Sequence, residues 1–266
     1  MNRIGLENLS TFGLDPVDFV HLTADLGCGH VSLNLGGSAN RLEMYPQWSF
    51  RDDPGLVRRT AEALRERGVA ASLVEGFAIV PDRKLDYNRD LDIACQFGAR
   101  AICTVSMDRD EGRTHAEYAR LTEEAGVHGL ITTTEACAGA YRTLGKTMRA
   151  IEAVARPDFV LLIDTMHFFR SGSTVADLAA LDPATVGHIQ LCDVPMPAQI
   201  EPYMEEALHE RRAPGDGALP LRQFLAHAPV DIPIGLEIPI RSEALAGIGP
   251  RERLGRCVAA ARALLD

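Results

Sequence analysis

The 266-residue sequence has no run of 18 apolar residues, which excludes a membrane-spanning helix. Its opening, MNRIGLENLSTFGL, lacks the long apolar segment and small-residue cleavage site of a signal peptide, so the expected location is the cytoplasm. There is no C-x-x-C pair. Cys28, Cys95, Cys103, Cys137, Cys192 and Cys257 lie far apart, as reduced core thiols do and disulfide frames or zinc knots do not. There is no basic surplus either: the net charge of −10 argues against a nucleic-acid partner. Finally, no G-x-G-x-x-G follows the first strand-like run, which argues against a doubly wound dinucleotide-binding sheet.

What is present is a core. Hydrophobic residues make up 46% and charged residues 24%, the balance of a soluble globular chain. Strand-like runs fall at Ile4–Asn8, His30–Leu35, Ala70–Glu75, Ala101–Ser106, Gly129–Thr134, Phe159–Asp164, Gly187–Leu191 and Ile234–Ile238. Helix-like runs alternate with them. DPVDFVHLTADLG and DPGLVRRTAEALRERG each open on Asp-Pro and close on glycine, at Gly27 and Gly68, and DYNRDLDIACQFG closes at Gly98. Further helices are predicted near 113–125, 143–155, 174–180, 219–227 and 250–265. This alternation in 266 residues predicts one (β/α)8 TIM barrel spanning 1–266, with no linker and no second domain. Two connections are long, 36–53 and 193–219, and both would lie on the carboxyl-terminal face, where barrels place substrate walls.

The chemistry-bearing residues stand at strand ends. Strand five ends in Glu135, strand six in Asp164 with His167 just beyond, and strand eight in Glu237. Strand seven, GHIQLCD, places His188 and Gln190 on one face. A barrel gathers these ends around one axis. Three carboxylates crowded together raise one another's pKa, and a divalent cation removes the conflict. Glu135, Asp164, Gln190 and Glu237 form an all-oxygen set suited to Mg2+ or Mn2+. With His188 in place of Gln190, Mn2+, Co2+ or Zn2+ gain weight. Gln190 is preferred because it lies later on the strand, nearer the mouth. Glu75 ends strand three, and Trp48 and Tyr45 sit in the long 36–53 connection; these are candidates to line the substrate site. Cys137 and Cys192 fall near the mouth without any signal of a nucleophile.

Together, LLIDTMHFFRSG, GHIQLCDVP, RRAPGDGALPL and IGLEIP resemble the xylose isomerase-like TIM barrels, the sugar phosphate isomerase/epimerase group. The resemblance is good over about 129–240, and the first half agrees in layout only. It implies one divalent ion held by Glu135, Asp164, Gln190 and Glu237. A Gln on strand seven is similar to hydroxypyruvate isomerases, whereas ketose 3-epimerases have His there. The resemblance further implies that His167 and either Arg211 or Arg212 touch substrate oxygens, and that Glu135 and Glu237 move the proton. The related epimerases continue after the first Glu as EPLN. Here the segment is EACAGAYR, which leaves the substrate open. The implied activity is isomerisation or epimerisation of a small sugar or hydroxyketone through an enediolate. The family habit is a homo-oligomer, a dimer or tetramer. The rivals are a dehydratase or lyase using the same first step, a non-catalytic barrel subunit, and a family-two apurinic endonuclease. The last needs many histidine ligands, and strands three and four carry none.

Overall fold

A computed structural model describes residues 2–81, 86–136 and 138–265. The chain closes into a barrel whose strands follow sequence order, each parallel to the next, with β8 (Ile234–Leu236) returning to β1 (Ile4–Leu6). Between them run β2 (His30–Asn34), β3 (Ala70–Ile79), β4 (Ala101–Ser106), β5 (Ile131–Glu135), β6 (Phe159–Asp164) and β7 (Val186–Leu191). The outer layer comprises α1 (Pro16–Asp25), α2 (Pro54–Arg67), α3 (Asn88–Gln96), α4 (Glu111–Val127), α5 (Leu144–Val154), α6 (Thr165–Arg170), α7 (Val175–Ala179), α8 (Tyr203–His209), α9 (Leu221–His227), α10 (Arg241–Leu245) and α11 (Pro250–Leu265). This is the single-domain TIM barrel that the strand–helix alternation predicts.

Local chemistry accounts for the helix starts. Asp15 accepts from the amide of Val17 at 2.8 Å and Asp53 from that of Leu56 at 2.9 Å, and proline occupies the first turn in both helices. The large core lies between strands and helices, where Val31, Leu33, Leu161, Ile163, Ile189 and Leu236 face outward from the barrel. Inside the barrel the apolar cluster is small: Leu73, Ala101, Cys103 and Leu162. Polar residues, among them His30, Ser32, Thr133 and His188, share that interior. The rings of His30 and His188 meet edge-on with centroids 6.3 Å apart.

Strand ends at β2, β5 and β7 differ from expectation by one or two residues, and those of β1, β3 and β8 differ in ways that bear on the site. β1 stops at Leu6, because the chain turns into a 3-10 helix at Asn8–Thr11. β3 runs past Glu75 to Ile79, with a register shift between Val74 and Phe77 that keeps Glu75 aimed at the barrel axis. β8 stops at Leu236, so Glu237 is the first residue beyond the strand. The short helices α6, α8 and α10 were not expected, and α8 fills part of the 193–219 connection.

Candidate active site

The carboxyl-terminal ends of the strands enclose a cavity of about 860 Å³. Its floor is polar, lined by Glu75, Glu135, His167, Arg211 and Glu237, and its walls carry Phe77, Val105, Met107, Tyr203, Met204 and Leu208. Behind the floor lies Glu7, fully buried at the end of β1 and not singled out by the sequence. Its Oε1 lies 2.9 Å from His188 Nε2, and its Oε2 accepts from Gln190 Nε2 at 3.3 Å. The carboxylate lies flat across β8, and this needs Gly235: a Cβ there would fall 1.4 Å from Glu7 Oε1.

Gln190 Nε2 is also 3.1 Å from Glu75 Oε1 and 3.2 Å from Glu237 Oε1. A side-chain amide has two protons, so three carboxylates here compete for two donors. Ligand atoms of Glu7, Glu75 and Glu237 all lie within 4.8 Å of one another, as do those of Glu135, Asp164 and His167. Of the four residues singled out in the sequence, Glu237, hydrogen-bonded to Gln190, belongs to the first group and Glu135 and Asp164 to the second; Glu135 and Glu237 line the cavity, while Asp164 and Gln190 are buried outside its lining. Arg211 joins the groups: its buried guanidinium pairs with Asp164 and, through Nη2, with Glu237 Oε2 at 2.9 Å. Its Nε donates to the carbonyl of Ala207 at 2.8 Å, which anchors it to α8. Asp164 also caps α6, accepting from the His167 amide at 2.9 Å.

Proton affinities follow from this crowding. Burial, reinforced by Glu7, pushes Glu75 up to about 8. Burial, reinforced by Asp164, pushes Glu135 up to about 8. Burial also carries Glu237 well above the usual carboxylate range, against the pull of Arg211. Burial opposes ionisation of Asp164 and Glu7 as well, but Arg211 and His167 hold Asp164 below its ordinary value, and His188 does the same for Glu7. His167 is kept neutral by burial. Its Nε2 lies 3.2 Å from Glu135 Oε1 and its Nδ1 meets the Tyr203 hydroxyl. The donor set, rich in oxygen and short of positive charge, fits a divalent cation, which would have to compete with Arg211 for Asp164 and Glu237.

Other predicted residues stand elsewhere. His188 lies under the floor, paired with Glu7. Arg212 is exposed and donates to Gln199 Oε1 at 2.9 Å and to the carbonyl of Asp216 at 3.1 Å. Trp48 packs on Phe50, its Nε1 donating to the carbonyl of Gly13 at 3.2 Å, and does not line the cavity. Tyr45 does not line it either. Cys192 is buried, its thiol pushed up to about 12 by burial. Cys137 lies outside the described residues. Besides Glu7, the structure adds Asn8, Arg142, Arg170 and Tyr203 to the site. Among the described residues the buried Nδ2 of Asn8 has no hydrogen-bond partner.

Comparison with known proteins gives the class. The family model described as "Xylose isomerase-like TIM barrel" matches residues 20–257, and the chain belongs to that family. No curated protein sequence matches it. Among solved structures it resembles the zinc-bound IOLI protein, at 14% identity and a TM-score of 0.74, over 99% of this chain and 96% of that one. It also resembles a D-psicose 3-epimerase determined in the presence of D-fructose, at 11% identity and a TM-score of 0.72, over 99% of both chains. A third likeness is to a xylose isomerase-like TIM barrel/4-hydroxyphenylpyruvate dioxygenase fusion protein, at 19% identity and a TM-score of 0.70. There 92% of this chain is covered but only 41% of the fusion protein, so the chain spans less than half of its length. At these identities the likenesses establish the fold. Among the described residues no helix is long and apolar enough to cross a membrane.

Proposed function

We propose that the chain is a divalent-metal-dependent isomerase or epimerase, moving a proton between carbons of a small sugar or hydroxyketone through an enediolate. One observation carries the reading: Glu135 and Glu237, from strands on different sides of Asp164, line the floor of the same cavity. Glu135, Asp164, Gln190 and Glu237 would hold the ion, Mn2+ or Mg2+ by their oxygen chemistry. When bound, the ion supplies Lewis-acid polarisation of a carbonyl and its neighbouring hydroxyl.

The remaining work belongs to the chain's own side chains. Glu237 takes the proton beside the substrate carbonyl, and Glu135 returns one to the adjacent carbon or the opposite face. The proton affinity of Glu135, raised to about 8, suits a group that returns a proton near neutral pH, and burial raises that of Glu237 as well. Neutral His167, aligned by the cap that Asp164 makes to its amide, donates to a substrate oxygen. Arg211 and the free amide of Asn8 offer further donors to substrate hydroxyls. Glu75 holds Gln190 in place.

Solvent deuterium exchange tests this. A panel of ketoses and hydroxyketones is incubated with the protein and Mn2+ in D2O, and C–H wash-in is followed by NMR. The wild type should label at least one substrate, and Glu237→Gln should label none while its circular dichroism is unchanged. Wild-type labelling by that variant contradicts the assignment.

A further inference from the structure

Beside the main cavity lies a second space of about 360 Å³, lined by Met107, Arg109, Gly139, Ala140, Arg142 and Lys146. Arg142, Met107 and Gly139 line both. The two loops that form it follow β4 and β5 and are tied together, the Ala140 amide donating to the Ser106 carbonyl at 2.7 Å. Only glycine permits that approach: Gly139 has φ +58°, and a Cβ there would meet the Ser106 oxygen at 2.4 Å. The neighbouring acids are already engaged. Asp108 pairs with Arg113, Asp110 caps α4 through the Arg113 amide at 2.9 Å, and Glu111 pairs with Lys146 at 3.3 Å. Lys146 Nζ also donates to the Ala140 carbonyl at 3.2 Å. Among the described residues, Arg109 and Arg142 meet no carboxylate.

Two unpaired guanidinium groups therefore face one recess, on a chain with a net charge of −10 and beside a floor of carboxylates. We propose that this recess binds an anionic oxyacid group, a carboxylate or a phosphate, at the end of the substrate remote from the floor. The claim rests on reading the main cavity as the substrate site, and it supplies the substrate class. The anion is repelled by the floor and held at the mouth, and this polarity fixes which end of the molecule reaches Glu135 and Glu237. Planar guanidinium groups suit oxyanions because they donate two parallel hydrogen bonds. Between the two ends the walls are apolar, with Phe77, Ala78, Val105, Ala138 and Met107. The molecule that fits is a hydroxyketone with a compact, sparsely hydroxylated carbon body and an acidic tail.

Three probes test the recess on the full chain after chelator treatment and dialysis: cyclohexanecarboxylate, cyclohexyl phosphate and neutral cyclohexanol, each titrated by calorimetry. At least one anion should bind tenfold or more tightly than the alcohol, and the stronger of the two identifies the tail. Arg109→Gln combined with Arg142→Gln should lower the anion's affinity at least tenfold, whereas Arg58→Gln, exposed on α2, should not. Both recess arginines are exposed, so the fold tolerates the change. Anions that bind no better than cyclohexanol, or a double variant with wild-type affinity, overturn the proposal. The readout needs neither metal nor turnover. Anion binding without deuterium wash-in sinks only the proposed reaction; wash-in without anion binding sinks only the recess.

Discussion

Arg211 is the positive charge at the centre of the floor, joined to Asp164 and Glu237 with all three side chains withdrawn from solvent. A buried guanidinium left with one partner is costly, so Asp164→Asn should destabilise the protein by about 3 kcal/mol or more in the absence of metal. The amide keeps the cap on α6, so the local backbone should survive. The same change removes a charged ligand, and Mn2+ affinity by calorimetry should fall at least about tenfold. Unchanged affinity contradicts a role for Asp164 in holding the ion. Asp164, Gln190 and Glu237 stand out in the sequence because each interrupts or ends an apolar run where a barrel strand reaches its mouth, whereas Glu135 stands out only as the acid that ends the polar run ITTTE. Glu7 does not, because the strand before it is only Ile4–Leu6 and the residues after it read as more of the same strand. Arg211 and Arg212 were inseparable in sequence. The fold separates them: the backbone of Arg212 bridges to Asp193, which turns its side chain out and its neighbour's in.

Elements at the closed end of the barrel are joined by His30, the first residue of β2. Its Nε2 meets the Arg3 carbonyl at 2.7 Å beside β1, and its Nδ1 meets Ser72 Oγ on β3 at 2.9 Å. Burial lowers its pKa to about 4. The ring is therefore neutral in the folded chain while its unfolded counterpart titrates near 6.5. Below that value the unfolded state binds the extra proton. The stability His30 supplies is then full above pH 6.5 and is lost as pH falls toward 4, at about 1.4 kcal/mol per pH unit. Chemical denaturation of His30→Gln should show a shallower acid loss than the wild type across that window; identical slopes would contradict this account. The strands and long helices were legible from apolar runs bounded by Asp-Pro starts and glycine stops. Helices as short as α6, α8 and α10 carry too few residues to display a period; α6 starts on the Asp164 cap, whereas the residues that precede α8 and α10 make no side-chain cap. The continuation of β3 past Glu75 was hidden for a related reason: Gly76 reads as a stop in sequence but here carries the strand through an irregular pairing.

Over the whole molecule, the barrel converts strand ends from separate parts of the chain into one floor. That convergence was readable because closure follows from counting alternating units. Which of the converging groups would touch was not, since it depends on side-chain packing across the axis: His188 to Glu7, Gln190 to three carboxylates, Arg211 to Asp164 and Glu237. The central claim is that Asp164 and Glu237, now joined by Arg211, would hold a divalent ion together with Glu135 and Gln190. A crystal soaked in Mn2+ and measured at a wavelength where manganese scatters anomalously tests it directly. The account predicts an anomalous peak within bonding distance of both carboxylates, with the Arg211 guanidinium moved away from them. A floor without such a peak at saturating Mn2+, with Arg211 still joining the pair, would contradict it.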